Sequence, residues 1–84
     1  MSATAAGLLN VMNVRLSMLD SGRITPLPAV ADATRLLVTE LRLLDPSERI
    51  EVRVSKNPFY AQYIRTKTNK VLAEFTADID EGGL

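Results

Sequence analysis

The hydrophobic period of this chain changes once, at Asp45-Pro46, and that change separates what can be helix from what can be strand. Before it, apolar residues recur at helical spacing; after it, they alternate with polar ones, as in strands covered on one face. A proline also pushes the residue before it out of the α region, so a helix reaching Asp45 ends there. The chain has 84 residues, and a length like this supports one core that both halves must share. The expected fold is α+β: an N-terminal helical hairpin of two helices, then a three-stranded antiparallel β-meander, in a single domain over residues 1–84.

The first helix is expected from about Ala3 to Asp20, with Ser2 as N-cap and Ser21-Gly22 as the stop. At helical spacing Leu8, Leu9, Met12, Leu16 and Leu19 form the main apolar arc, opposite Asn10, Asn13, Ser17 and Asp20. A second apolar stripe, Val11, Val14 and Met18, stands apart from the first, with Arg15 between them. Ile24 to Pro28 reads as a linker in which Thr25-Pro26 supplies the N-cap and first helical residue. The second helix then runs to about Leu44. Its seam is Val30, Thr34, Leu37, Leu41 and Leu44, the spacing of a helix packed on another helix. Again there is a surplus: Ala29, Leu36 and Leu43 recur every seven residues on a different side.

Past Pro46, Ile50, Val52 and Val54 alternate with Glu51 and Arg53 as a half-buried strand. Ser55-Lys56-Asn57-Pro58 reads as a turn, and Phe59 to Thr66 as the second strand, with Tyr60, Tyr63 and Ile64. Lys67-Thr68-Asn69 is the next turn, where Asn69 tolerates a positive φ. Val71, Ala73 and Phe75 alternate on the third strand, and residues 78–84 read as a flexible acidic tail.

Composition narrows the chemistry. The chain has no histidine and no cysteine, which removes the usual general base, the thiol nucleophile and a closed zinc site. No two carboxylates are spaced to face each other in a cleft, and Ser17, Ser47 and Ser55 have no neighbouring base. Gly7, Gly22, Gly82 and Gly83 make no phosphate-cradling loop. Asp78-x-Asp80 opens like a calcium loop, but the chain stops before the carboxylate such a loop needs at its twelfth position. Asn57-Pro58-Phe59 resembles a short peptide ligand motif and is better read as a turn and strand start. We therefore expect no catalytic residue, cofactor, metal or small-molecule substrate. Ten basic residues balance ten acidic ones, which weakens bulk attraction to nucleic acid or membrane. The N-terminus lacks a basic leader region, and Asn10, Asn13 and Arg15 interrupt its apolar stretch. No signal peptide, membrane span or membrane partner is expected, and the expected location is cytoplasmic.

What remains is binding. The surplus stripes mark Val11, Val14, Met18, Leu36 and Leu43 as a protein interface, most simply with a second copy in a homodimer. The competing reading buries both stripes, the helices straddling the sheet. The alternative function is nucleic-acid binding by a basic sheet carrying Arg53, Lys56, Tyr60, Tyr63, Arg65, Lys67 and Lys70, with Arg49 beside them. Against it stands a solvated sheet edge with tyrosines packed across strands. A further alternative is a small phage-type inhibitor or assembly factor.

From Arg35 to Ile79 the chain resembles the FlaG family of bacterial flagellar proteins. Arg35-Leu36 fits that family's helix, Leu44-Asp45-Pro46 its exit, and Ile50 to Val54 the strand after it. Phe59-Tyr60-Ala61-Gln62-Tyr63-Ile64 and Thr68-Asn69-Lys70-Val71-Leu72-Ala73-Glu74-Phe75 match its strand–turn–strand element. Arg65 replaces the family's aspartate before the turn, Thr76 its closing proline, and a helix around Leu8 to Leu19 its disordered N-terminal region. The resemblance implies a flagellum-associated, non-enzymatic accessory protein concerned with filament length or assembly.

Overall fold

A computed structural model of the protein describes residues 1–56 and 59–76. The elements are β1 (Ser2–Thr4), α1 (Ala5–Asp20), α2 (Pro28–Arg42), β2 (Arg49–Lys56), β3 (Phe59–Arg65) and β4 (Lys70–Thr76). The sheet has four strands, not three, in the order β1-β2-β3-β4, and every pair is antiparallel. The tail expected at 78–84 and the turn residues Asn57 and Pro58 lie outside the described residues.

The additional strand comes from residues expected to open the first helix. Ser2, Ala3 and Thr4 pair with Glu51, Ile50 and Arg49. Met1 continues the ladder, its amino group donating to the Val52 carbonyl at 3.2 Å and its carbonyl accepting from the Val52 N–H at 2.7 Å. The N-cap of α1 is thus Thr4 rather than Ser2, its hydroxyl accepting from the Gly7 N–H at 3.1 Å. The amides of Ala5 and Ala6 donate to the carbonyls of Glu48 and Pro46 at 2.8 and 3.1 Å. Three donors that a helix start leaves without partners are therefore satisfied, two of them by the turn leading into β2.

Gly22 ends α1 at φ +76°, as its sequence position suggests. The start of α2 differs from expectation. Pro28, not Pro26, is its first residue, and Leu27 before it sits at φ −58°, ψ 150°. A residue preceding proline avoids the α region, so Pro28 forbids a helix begun at Pro26. The helix ends at Arg42, two residues earlier than expected, and Ser47 closes the exit by donating its N–H and hydroxyl to Asp45 at 2.9 and 2.7 Å.

Both helices cover one face of the sheet, α1 on the β1 side and α2 on the β4 side. The core joins Ala5, Leu8 and Met12 of α1, Leu37, Val38 and Leu41 of α2, and Ile50, Ala61, Leu72, Ala73 and Phe75 of the sheet. Buried Thr34 donates its hydroxyl to the Val30 carbonyl one turn back, at 2.8 Å. The alternation expected in the strands fails at two places. Val54 is exposed, two residues past the last β2 position that the N-terminal segment covers. On β4 the register shifts between Tyr63 and Ile64, so Leu72 becomes an extra residue. Leu72 and Ala73 are then both buried, while Val71 turns outward.

Candidate functional site

The helices supply the core and still carry apolar residues to spare. Val11, Val14 and Met18 on α1 are 57%, 62% and 37% exposed, and Leu36 and Leu43 on α2 are 51% and 76% exposed. Straddling is ruled out for these side chains in the isolated chain. They do not form one surface, however. Asp20 accepts from Arg35 at 3.2 Å and Asn13 from Arg42 at 3.4 Å, a polar seam across the top of the hairpin. At helical spacing the Val11–Met18 stripe lies roughly 140° round α1 from Asn13 and Asp20, and Leu36 and Leu43 roughly 100° round α2 from the two arginines. One stripe therefore lies on the outer flank of α1 and the other on the solvent-facing side of α2, with the polar seam between them.

The α1 flank has relief as well as exposure. Val14 and Met18 form a ridge between two grooves. One, about 480 Å3 in volume, is lined by Val14, Ser17, Met18, Ser21 and Arg23. The other, about 350 Å3, is lined by Val11, Val14, Arg15, Met18 and Ile24. A ridge between grooves is the shape one helix offers another in side-by-side packing. Sequence inspection missed Ile24, which lies beyond the helix that carries the stripe. It also missed Gly7, although Gly7 continues the stripe at the same spacing toward the N-terminus.

The candidate nucleic-acid residues are not brought together. Strand alternation and the pairing of Arg53 with Gln62 put Arg53 and Tyr60 on the open face of the sheet. Tyr63 is on the helix-covered face, edge-on to Phe75 with ring centroids 5.7 Å apart. Arg65 and Lys70 pair with each other at the end of that same face. Arg65 turns to Glu48, and Lys70 lies 3.6 Å from Glu40 of α2. Alternation puts Lys56 on the same side as Ile50, and Lys67 lies in the β3–β4 turn. On the open face Arg53 is tied to Glu51 at 2.6 Å. Burial raises the Tyr60 phenol above its usual range, and a hydrogen bond to Glu74 adds to that. Two carboxylates thus stand among the residues that would have to hold phosphates.

Among the described residues there is no group of carboxylates placed to hold a metal ion, and no helix long and apolar enough to cross a membrane. Comparison with protein-family models, with curated proteins and with solved structures finds no match to this chain.

Proposed function

We propose that the protein is a non-catalytic protein–protein interaction module that self-associates through the outer surfaces of its helices. One observation carries this reading: five large apolar side chains stay exposed on two helices whose other faces already fill the core. A contiguous exposed apolar stripe, such as Val11, Val14 and Met18 form, is the usual mark of a contact surface. The balanced charge of the chain leaves little repulsion to hold two copies apart.

The test is the molar mass by light scattering from low to high micromolar concentration, with circular dichroism run in parallel. A mass rising to that of a dimer supports the reading, and a monomer throughout ends it. Leu36→Asp, Leu43→Asp and Val14→Asp each leave a folded chain, and those on the surface in use lower the mass. Because the contact is apolar, raising the salt leaves the mass unchanged, whereas electrostatic binding to an oligonucleotide weakens steeply with salt.

The FlaG resemblance supports the same class of function and suggests a setting, that of a flagellar accessory. It predicts that deleting the gene changes the length or assembly of flagellar filaments. Unaltered filaments in the deletion strain remove that setting and leave the interaction module.

A further inference from the structure

On the outer flank of α1 the seam is longer than its three apolar residues. Gly7, Val11, Val14 and Met18 follow in 4-3-4 spacing, the repeat that keeps one line of side chains turned toward a partner helix. All four are exposed. Their sizes are graded, from no side chain at Gly7, through two valines, to methionine at Met18.

A graded seam does not match a parallel copy of itself. Gly7 against Gly7 leaves a gap, and Met18 against Met18 is crowded. With the helices antiparallel and a two-fold axis between Val11 and Val14, the sizes become complementary. Gly7 then faces the partner's Met18, and Val11 faces the partner's Val14. Each layer holds a similar volume, which close packing requires. The ridge of Val14 and Met18 also has a groove on each side to receive the ridge of another helix.

Charge admits the same occupant. Between Ser2 and Leu19 the one charged side chain is Arg15. In the antiparallel register the two Arg15 residues lie on the same side of the seam, about 7.5 Å apart along the axis. The flank has nothing to hold a strongly charged partner, and the one like charge that two copies bring near each other, Arg15, is exposed and screened by water and salt. A single helix pair is small against the roughly 800 Å2 per partner of a stable complex. The same flank also offers Ile24 in its groove and Met1, 83% exposed at the end of the β1 edge.

Resting on the self-association reading, we infer that α1 docks antiparallel on α1 of a second copy, with the two-fold axis between Val11 and Val14. The arrangement is isologous and closed, the commonest symmetry of small assemblies.

The chain has no cysteine of its own, so introduced thiols report geometry directly. Full-length Gly7→Cys and Met18→Cys chains are oxidised separately and as an equimolar mixture. A covalent dimer forms in the mixture and not in either chain alone, because like positions lie about 16 Å apart along the axis, beyond the roughly 7 Å that a disulfide spans. A β-carbon at Gly7 comes within 3.1 Å of the Thr4 hydroxyl. Val11→Cys with Val14→Cys is therefore run as a second pair, with circular dichroism checked first, and its mixture links faster than either chain alone. Linking by Gly7→Cys or Met18→Cys alone overturns the antiparallel arrangement. A dimeric mass with no linking in either mixture overturns it too, while leaving self-association intact and pointing to the α2 stripe. A monomeric mass at high micromolar concentration overturns both.

Discussion

Arg65 on β3 holds Glu48, in the turn before β2, through two guanidinium nitrogens, with Nη2 donating at 3.0 Å. Both side chains are half-buried or nearly buried. Glu48 also accepts from the Asp45 N–H at 3.4 Å, and its carbonyl takes the Ala5 amide. One residue thereby joins the exit of α2, the start of α1 and the end of β3.

That junction makes stability depend on pH. The hydrogen bond from Arg65 holds the Glu48 carboxyl below its ordinary value of 4.5, against the opposing effect of burial. A carboxyl lowered by folding contributes stability that is fully present above its unfolded value and is lost as pH falls through its lower folded value. Melting temperature should therefore fall as the pH drops through and below the ordinary carboxyl value of 4.5, and Glu48→Gln should start lower and fall less. Identical slopes for the two proteins would remove Glu48 as a source of the acid sensitivity.

Leu36 and Leu37 are adjacent and should behave oppositely. Leu37 is fully buried and Leu36 half exposed. Leu37→Ala should cost about 2–5 kcal/mol, and Leu36→Ala about 0.5 kcal/mol or less in the monomer. Urea unfolding at low protein concentration measures both, and equal losses would contradict the burial described for α2.

Two turns depend on positive φ. Asn69 stands at φ 58° and Gly22 at φ +76°, where an added β-carbon meets nothing within 4 Å. Gly22→Ala should thus cost about 1 kcal/mol through the backbone alone. Asn69→Gly should be neutral or stabilising, while Asn69→Val should cost about 1–2 kcal/mol. Thermal unfolding of the three variants gives the order, and an Asn69→Val protein as stable as the parent would contradict the turn geometry.

The position of the α1 cap is open to a direct comparison. Thr4→Ala should lose about 1 kcal/mol. Ser2→Ala removes only an exposed acceptor from Arg49 and should change stability by about 0.5 kcal/mol or less. The reverse order in chemical denaturation would restore Ser2 as the cap.

Features with short-range causes were legible in the sequence. The change of period at Pro46, the stop at Gly22 and the turn at Asn69 each follow from a few neighbouring residues. The exposed stripes were legible by arithmetic, since helical spacing put more apolar residues on the helices than their inward faces could use. β1 was not, because Ser2-Ala3-Thr4 is too short for a visible alternation and becomes a strand only through Arg49, Ile50 and Glu51. The exposure of Val54 depends on where the N-terminal segment stops covering β2, and that of Val71 on a bulge that no local residue signals. The scatter of the basic residues was partly readable. Alternation alone would have separated Tyr60 from Tyr63, but the ion pairs of Arg65 and Lys70 depend on where α2 and its exit turn lie.

The pairing of Met1 with Val52 spans 51 positions along the chain, and this affects the order in which the molecule assembles. Strands β2 to β4 meet through short hairpins and can zip early, whereas the N-terminal edge must wait for both helices to be laid down. Closing that edge should then come late in folding, which stopped-flow rates of a Ser2–Thr4 edge variant would check. Weakening it should hasten unfolding and leave the folding rate nearly unchanged.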